Sequence, residues 1–338
     1  MIEVRNVNDA LPLALDLLDR VGVLEGSRNG SVLRVPYPVT IAYKRPWERV
    51  LFSSVRDANP YFHLFESLWM LAGRNDLGWI QQFNSRMHEF SDDGMHLHGA
   101  YGYRWRQWFD FDQLKIMIEH LRDNPSSRRA VLQMWSPLGD MVGLNGVGGL
   151  QAKDVPCNVT VLFAMNGGAI DMTVFNRSND AIWGAFGANA VHMSVLQDYV
   201  ASALCVPMGM YYQISNNLHV YVDRFDSDLR ARLCQGDDRY TNGLVQCCPL
   251  LYAGEGMEQW DSDLSIFMSV GGGESGVFST RFFGGVISPM WRSWCARKQK
   301  MNDGREDASR ILADDWRIAC LEWIDRREQK RMVNQCSE

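Results

Sequence analysis

A chain of 338 residues, 46% hydrophobic and 22% charged, has the make-up of an ordinary globular protein with length enough for a deep core. Its net charge of −6 argues against a general nucleic-acid binder, which needs a basic face, so an anionic ligand would have to be met by a local cluster of arginines. No stretch is apolar and long enough to span a membrane, and the start, "MIEVRNVNDALPLALDLLDRVGVL", does not read as a signal peptide.

In chain order, Leu11 to Leu24 has the apolar spacing of a helix. "GSRNGS" (26–31) reads as a polar loop ahead of a short extended segment, "VLRVPYPVTIAY". Residues 60–83 carry apolar side chains at helical spacing, with Gly73 a natural stop. A helix around 112–122 should end in the breaker run "DNPSS", and "RRAVLQMW" after it reads as a strand. Residues 136–156 form a glycine-rich loop.

"DVPCNVTVLFAMNGGAIDMTVFNRSND" (154–180) has Val, Ile, Phe and Thr on both flanks of Asn166-Gly167, a two-residue turn signal that predicts a β-hairpin. Without a bulge, that turn sets Cys157 opposite Asn176, with Arg177 one residue on. A cation so placed favours thiolate over thiol. The plainer reading is a buried, inert cysteine.

Residues 191–204 look like a buried amphipathic helix, and "MYYQISNNLHVYVDRF" alternates like a strand. The run "GGGESG" (271–276) lacks the GK[ST] ending of a phosphate loop and reads as a plain loop. Ile311, Leu312, Trp316, Ala319, Trp323 and Ile324 fall near one face of a helix over 306–324. With no internal repeat or linker, a single mixed α+β domain over 1–338 is the simplest expectation. Eight cysteines without CxxC spacing suggest neither a disulfide framework nor a zinc site, and point to a reduced, intracellular protein.

Two further features carry chemistry. Arg128 and Arg129 are adjacent at a strand start, so their side chains point to opposite faces. Glu66 sits in the otherwise apolar "FHLFESLWML". A buried carboxylate has a raised pKa and suits proton transfer, whereas one at a helix edge would be salt-bridged.

Taken in order over residues 20–225, seven segments carry a resemblance: "SRNG", "ESLWMLAGRND", "HGAYGYRWRQW", "SSRRAVLQMW", "PCNV", "NRSNDAIWG" and "NNLHVY". Together the chain resembles the thymidylate synthase superfamily, which includes the phage pyrimidine nucleotide hydroxymethylases. The resemblance implies a large mixed sheet packed with helices, dimerising through a sheet face, and 5,10-methylenetetrahydrofolate as cosubstrate, with no metal. It implies Cys157 as the nucleophile that adds to carbon 6 of the pyrimidine and makes carbon 5 reactive. Glu66 would manage protons, and Tyr101 would help to remove the carbon-5 proton. Arg28, Arg177 and Ser178 would hold the 5′-phosphate, joined by Arg128 and Arg129 from the other chain of a homodimer. His219 and Tyr221 would meet the sugar, and Asp180, Trp69 and Met87 the folate.

The departures from the family pattern narrow the choice. Met87 and Phe90 stand where synthases carry tryptophans that keep water from the folate, and the chain ends "KRMVNQCSE", without the usual apolar closing tail. A wetter site favours hydroxymethylation over reductive methylation. Thymidylate synthase stays the alternative, with Trp79, Trp105 or the C-terminal helix sealing the site. The base-reading asparagine is expected eleven residues after Arg177, where Ala188 stands. Asn189 follows it, and its amide can both donate and accept, which suits uracil. An aspartate would suit cytosine, so dUMP is favoured over dCMP. A hydroxymethylated product points to a virus that modifies its DNA. A non-catalytic nucleotide- or RNA-binding homologue is a remote alternative, since the thiol and the arginines are all present. Asn158, where the family commonly has histidine, and the long loop before Cys157 depart from the pattern. Residues 226–338 carry no motif.

Overall fold

The computed structural model describes residues 1–144, 148–235, 238–241, 243, 245–269 and 277–336. The "GGGESG" run lies outside the described residues. Two compact units are present, one of residues 1–56 and 65–237, the other of residues 57–64 and 238–338. All seven motif segments belong to the first. No helix among the described residues is long and apolar enough to cross a membrane.

The first unit contains β1 (Ile2–Val4), α1 (Val7–Val21), β2 (Val23–Ser27), β3 (Gly30–Arg34), β4 (Val39–Tyr43) and α2 (Pro60–Leu71), of which the part from Phe65 belongs here. It continues with α3 (Leu77–Ile80), α4 (Tyr101–Arg106), α5 (Gln113–Asp123), β5 (Val131–Gln133), β6 (Asn158–Asn166), β7 (Ala169–Asn176) and β8 (Asn179–Asp180). Then come α6 (Ala190–Leu204), β9 (Met208–Ser215), β10 (Leu218–Tyr221) and α7 (Ser227–Leu233). Two sheets form. One has the order β1-β4-β9-β7-β6-β5 and the other β2-β3-β10-β8. The larger is mixed: β7 runs antiparallel to β6 and parallel to β9.

The two faces of the larger sheet differ. Leu132, Val161, Val174 and Gln213 are cross-strand partners, and all four are fully buried. Helix α6 packs on β7 and β9. It is buried from Ala190 to Ala201, so its polar side chains need partners. The Gln197 amide donates to the carbonyls of Ile170 and Met210, and Arg49 meets Asp198 at 2.6 Å. On the opposite face Val131, Leu162 and Phe175 are 43%, 36% and 36% exposed.

Several sequence expectations shift. The first helix begins earlier, at Val7, where Asn6 caps it, and stops at Gly22. "GSRNGS" is not a loop: it is the tip of the β2–β3 hairpin, paired up to Ser27 and Gly30. The alternating run expected as one strand breaks at Asn216-Asn217 into β9 and β10, which lie in different sheets. In the long hairpin the turn is Gly167-Gly168, one residue later than predicted, because Asn166 pairs with Ala169. Both glycines have positive φ, 58° and 85°, as a tight hairpin turn requires.

The second unit holds α8 (Met257–Ser269), α9 (Ser288–Lys298), α10 (Arg305–Ser309) and α11 (Asp314–Cys336). Trp260, Phe267, Phe283 and Trp291 fill its core. The expected helix over 306–324 is interrupted: the chain between α10 and α11 is pulled aside where Leu312 N–H bonds Gly285 O (2.8 Å). Leu312 is consequently exposed, while Ile311, Trp316, Trp323 and Ile324 are buried.

Candidate active site

Cys157 lies at the open end of the hairpin. The later turn alone would set it opposite Ser178, and a register shift between Asn158 and Thr160 brings it back by one to face Arg177, whose N–H donates to Cys157 O (2.9 Å). The Arg177 guanidinium then folds back over the cysteine. Its Nε donates to Pro156 O (2.9 Å) and its Nη2 to Val155 O (2.8 Å). Nη2 is also 3.8 Å from Cys157 Sγ.

The cation does not win at rest. Burial pushes the Cys157 thiol up, Arg177 pulls it down, Asp154 pushes it up again and Arg28 pulls it down. The net direction is upward, so Cys157 rests as a thiol. Arg177 favours the thiolate in the expected direction, but desolvation of the charged form outweighs it.

Tyr101 opens α4, and its hydroxyl accepts from the Asn158 N–H (3.4 Å). Burial, then the nearby Cys157 and Asp154, hold the phenol well above its ordinary value, so it stays neutral.

Asn158 begins a chain of side-chain hydrogen bonds. Its Nδ2 donates to Asn189 Oδ1 (3.3 Å), Asn189 Nδ2 to Asn179 Oδ1 (3.1 Å), and Asn179 Nδ2 to Ser215 Oγ (3.0 Å). This buried chain of amides ties the residue after the thiol to Asn189. The segment Ala181–Asn189 is a π-helix, the form that absorbs one inserted residue into a helical run.

Three residues along the same face of α6 from Asn189, His192 Nε2 lies 3.1 Å from Glu66 Oε2. Glu66 is therefore close to His192, with its side chain 14% exposed. Asp180 and His219 are neighbours on β8 and β10, and the Tyr221 ring meets that of His219 edge-on. Asp180 Oδ1 caps the π-helix by accepting from the N–H groups of Ile182 and Trp183. Its Oδ2 is buried and has no hydrogen-bond partner among the described residues. Ser178 is half-buried in the link from β7 to β8, and Arg28 is exposed at the β2–β3 tip.

Other expected residues lie elsewhere. Trp69 is only 2% exposed and its indole N–H points to Asp76 (3.3 Å), so it fills the core and offers almost no surface to a ligand. Met87 is half-buried and Phe90 43% exposed on one 3₁₀ turn. Trp79 and Trp105 are core residues. Arg128 and Arg129 are exposed and precede β5, whose Val131 pairs with Leu162. They reach β6 near Ala164, roughly 20 Å along the strand from Cys157 at about 3.3 Å per residue.

Sequence reasoning missed Asp154, His192 and Asn179. His192 and Asn179 lay within recognised segments but carried no periodic signal. Asp154 stood in plain view three residues before the cysteine.

A family model described as thymidylate synthase matches residues 55–238. The chain belongs to the thymidylate synthase family. Among its relatives in the family is the deoxyuridylate hydroxymethyltransferase of Pseudomonas phage M6, 45% identical over 97% of this chain and 94% of that protein. The protein of the same name from Bacillus phage SP01 is 37% identical over 64% of this chain and 58% of its own length. A putative thymidylate synthase of Methanosarcina acetivorans is 26% identical over 67% and 91%. At 97% of the chain, the similarity to the M6 protein takes in most of residues 226–338, where no motif was legible.

Proposed function

We propose that the protein is a deoxyuridylate hydroxymethyltransferase. The observation that carries this reading is the 45% identity, over nearly the whole of both chains, to a protein of that name. The site is consistent with it. Cys157 would add to carbon 6 of the uracil ring, so that carbon 5 becomes the nucleophile. Asn189, held by Asn158 and Asn179, would match the donor and acceptor edge of the base. Arg177, Arg28 and Ser178 would receive the phosphate, and His219 and Tyr221 the sugar.

Methylenetetrahydrofolate, when bound, supplies a one-carbon unit that needs no oxidant to become hydroxymethyl. The unpartnered buried Oδ2 of Asp180 fits an N–H donor of a pterin, whereas Trp69 has no free surface for it. Glu66, close to His192, would hand protons to and from the base. Tyr101, as a neutral phenol, would relay the carbon-5 proton and not take it as phenolate.

Mass spectrometry of the products from dUMP and, separately, dCMP with methylenetetrahydrofolate tests the reading. A hydroxymethyl group added to dUMP, with tetrahydrofolate released, is expected. A methyl group with dihydrofolate formed would make the protein a synthase, and reaction only with dCMP would reassign the base.

The distance of Arg128 and Arg129 from their own Cys157, and the apolar residues exposed on one face of the larger sheet, support a homodimer in which these arginines complete the partner's site. Mixing an Arg128→Ala/Arg129→Ala chain with a Cys157→Ala chain is expected to restore about a quarter of the wild-type sites by random pairing of subunits in a two-fold dimer. Absence of any recovery after verified subunit exchange would mean that each chain works alone.

A further inference from the structure

Asp154, three residues before Cys157, is held from the chain around Gly99. Its Oδ2 accepts from the Gly99 N–H at 2.8 Å, while Oδ1 makes no hydrogen bond to a described residue. A side chain at position 99 would put its Cβ 2.9 Å from Asp154 Oδ1 and 3.0 Å from Pro156 N, so only glycine leaves this carboxylate room. The segment that bears Gly99 is itself pinned. His98 Nε2 and Arg104 Nη2 both meet Asp140 Oδ1 at 2.8 Å, in a fully enclosed cluster. Tyr101 lies between those two anchors.

The arrangement thus brings one carboxylate with an open oxygen within electrostatic reach of both Cys157 and Tyr101. Hydroxymethylation needs such a group, because water is a poor nucleophile until a base takes its proton. Glu66, which the proposed reading assigns to the protons of the base itself, faces His192.

We propose that Asp154 is the general base for the water that adds to the base-bound methylene, an assignment that rests on the hydroxymethylase reading. Once tetrahydrofolate has left, the nucleotide is joined to Cys157 at carbon 6 and carries an exocyclic methylene at carbon 5. The water oxygen bonds to that methylene carbon as its proton passes to Asp154, and the electron pair of the exocyclic double bond moves into the ring as an enolate. Collapse of the enolate re-forms the carbon 5–carbon 6 double bond and expels the Cys157 thiolate. The proton on Asp154 then returns to that sulfur, which rests as a thiol.

The environment agrees. Burial pushes the Asp154 carboxyl up to about 6, against the Gly99 N–H and the charges of His98 and Arg104, with Asp92 adding to the rise. Among the described residues it also acts on Cys157 and Tyr101. A carboxylate of that basicity is ionised at neutral pH and accepts a proton more readily than an ordinary one.

The test is Asp154→Asn, which can still accept from the Gly99 N–H. Three readouts separate the step from the fold and from earlier chemistry. The covalent adduct of Cys157 with 5-fluoro-dUMP and methylenetetrahydrofolate, seen by mass spectrometry, is expected to form as in wild type. With dUMP, formation of the hydroxymethyl product is expected to fall about a hundredfold. Added 2-mercaptoethanol, a nucleophile that needs less help from a base, is expected to capture the methylene as a thioether in its place. Wild-type product formation is expected to show an acid limb near pH 6, and that limb should vanish in the variant. Loss of the 5-fluoro-dUMP adduct, or an unchanged ratio of thioether to hydroxymethyl product, would overturn the assignment. A wild-type enzyme that methylates would instead overturn the hydroxymethylase reading beneath it.

Discussion

Cys157→Ala is expected to abolish the covalent adduct with 5-fluoro-dUMP and methylenetetrahydrofolate and to lower product formation by more than roughly a thousandfold, about 4 kcal/mol of barrier. The sulfur is the one group at the hairpin foot able to form a bond to carbon 6. Arg177, Tyr101 and the Asn158–Asn189 pair all converge on it or on its neighbour. The fold should survive, because the bonds that hold this segment run through backbone carbonyls of Val155, Pro156 and Cys157. Intact-mass measurement of the adduct and a thermal melt distinguish loss of chemistry from loss of structure. An adduct retained in the variant would place the nucleophile elsewhere.

Arg104→Met is expected to destabilise the protein by about 3–5 kcal/mol, the cost of leaving a buried charge unpaired, and to lower the melting temperature by about 10 °C. Arg104 and Asp140 are both wholly buried. The guanidinium also donates to His98 O (2.9 Å) and lies 3.8 Å from the Trp108 ring centre. Burial alone would push the Asp140 carboxyl up. His98, the Ser136 N–H and Arg104 together outweigh it, and the carboxyl ends below its ordinary value. Its contribution is therefore present above the unfolded carboxyl value of about 3.9 and is lost as pH falls through the lower folded value. Calorimetry of Arg104→Met, Asp140→Leu and the double variant checks this. The double change should cost less than the two single losses combined, since it leaves no orphaned charge. A single change worth under about 1 kcal/mol would mean that water reaches the pair.

Much of the first unit was legible because its chemistry is periodic. Alternating Val, Thr and Phe around 158–176 marked the hairpin, and the apolar spacing of 60–71 marked α2. The turn was misplaced by one residue because Asn166-Gly167 and Gly167-Gly168 both satisfy a positive-φ turn, and only the pairing of Asn166 with Ala169 chooses between them. The break between β9 and β10 was hidden for a related reason: alternation continues across Asn216-Asn217, and nothing in a period of two announces a change of sheet. Asn189 could be suggested only from family spacing, and the π-helix that ends at it leaves no mark in composition. Asp154 was read past because a lone aspartate before Pro-Cys looks like solvated loop. Its enclosure depends on Gly99, 55 residues earlier, and on the Asp140 cluster that holds Gly99 still.

With Arg177 receiving the phosphate as proposed, substrate capture and thiol acidity become a single thermodynamic quantity. Two of its nitrogens are committed to the cysteine loop, while Nη1 has no partner among the described residues and is the edge left for an anion. A phosphate bound there would partly neutralise the guanidinium and make the thiol harder to ionise. Reciprocity then requires that ionising the thiol weaken the hold on phosphate by the same factor. A cysteine that rests protonated is, on this account, the state in which an anionic nucleotide is most readily accepted. The charge needed for attack must then be generated after the nucleotide has docked, which would keep the nucleophile quiet while the site stands open.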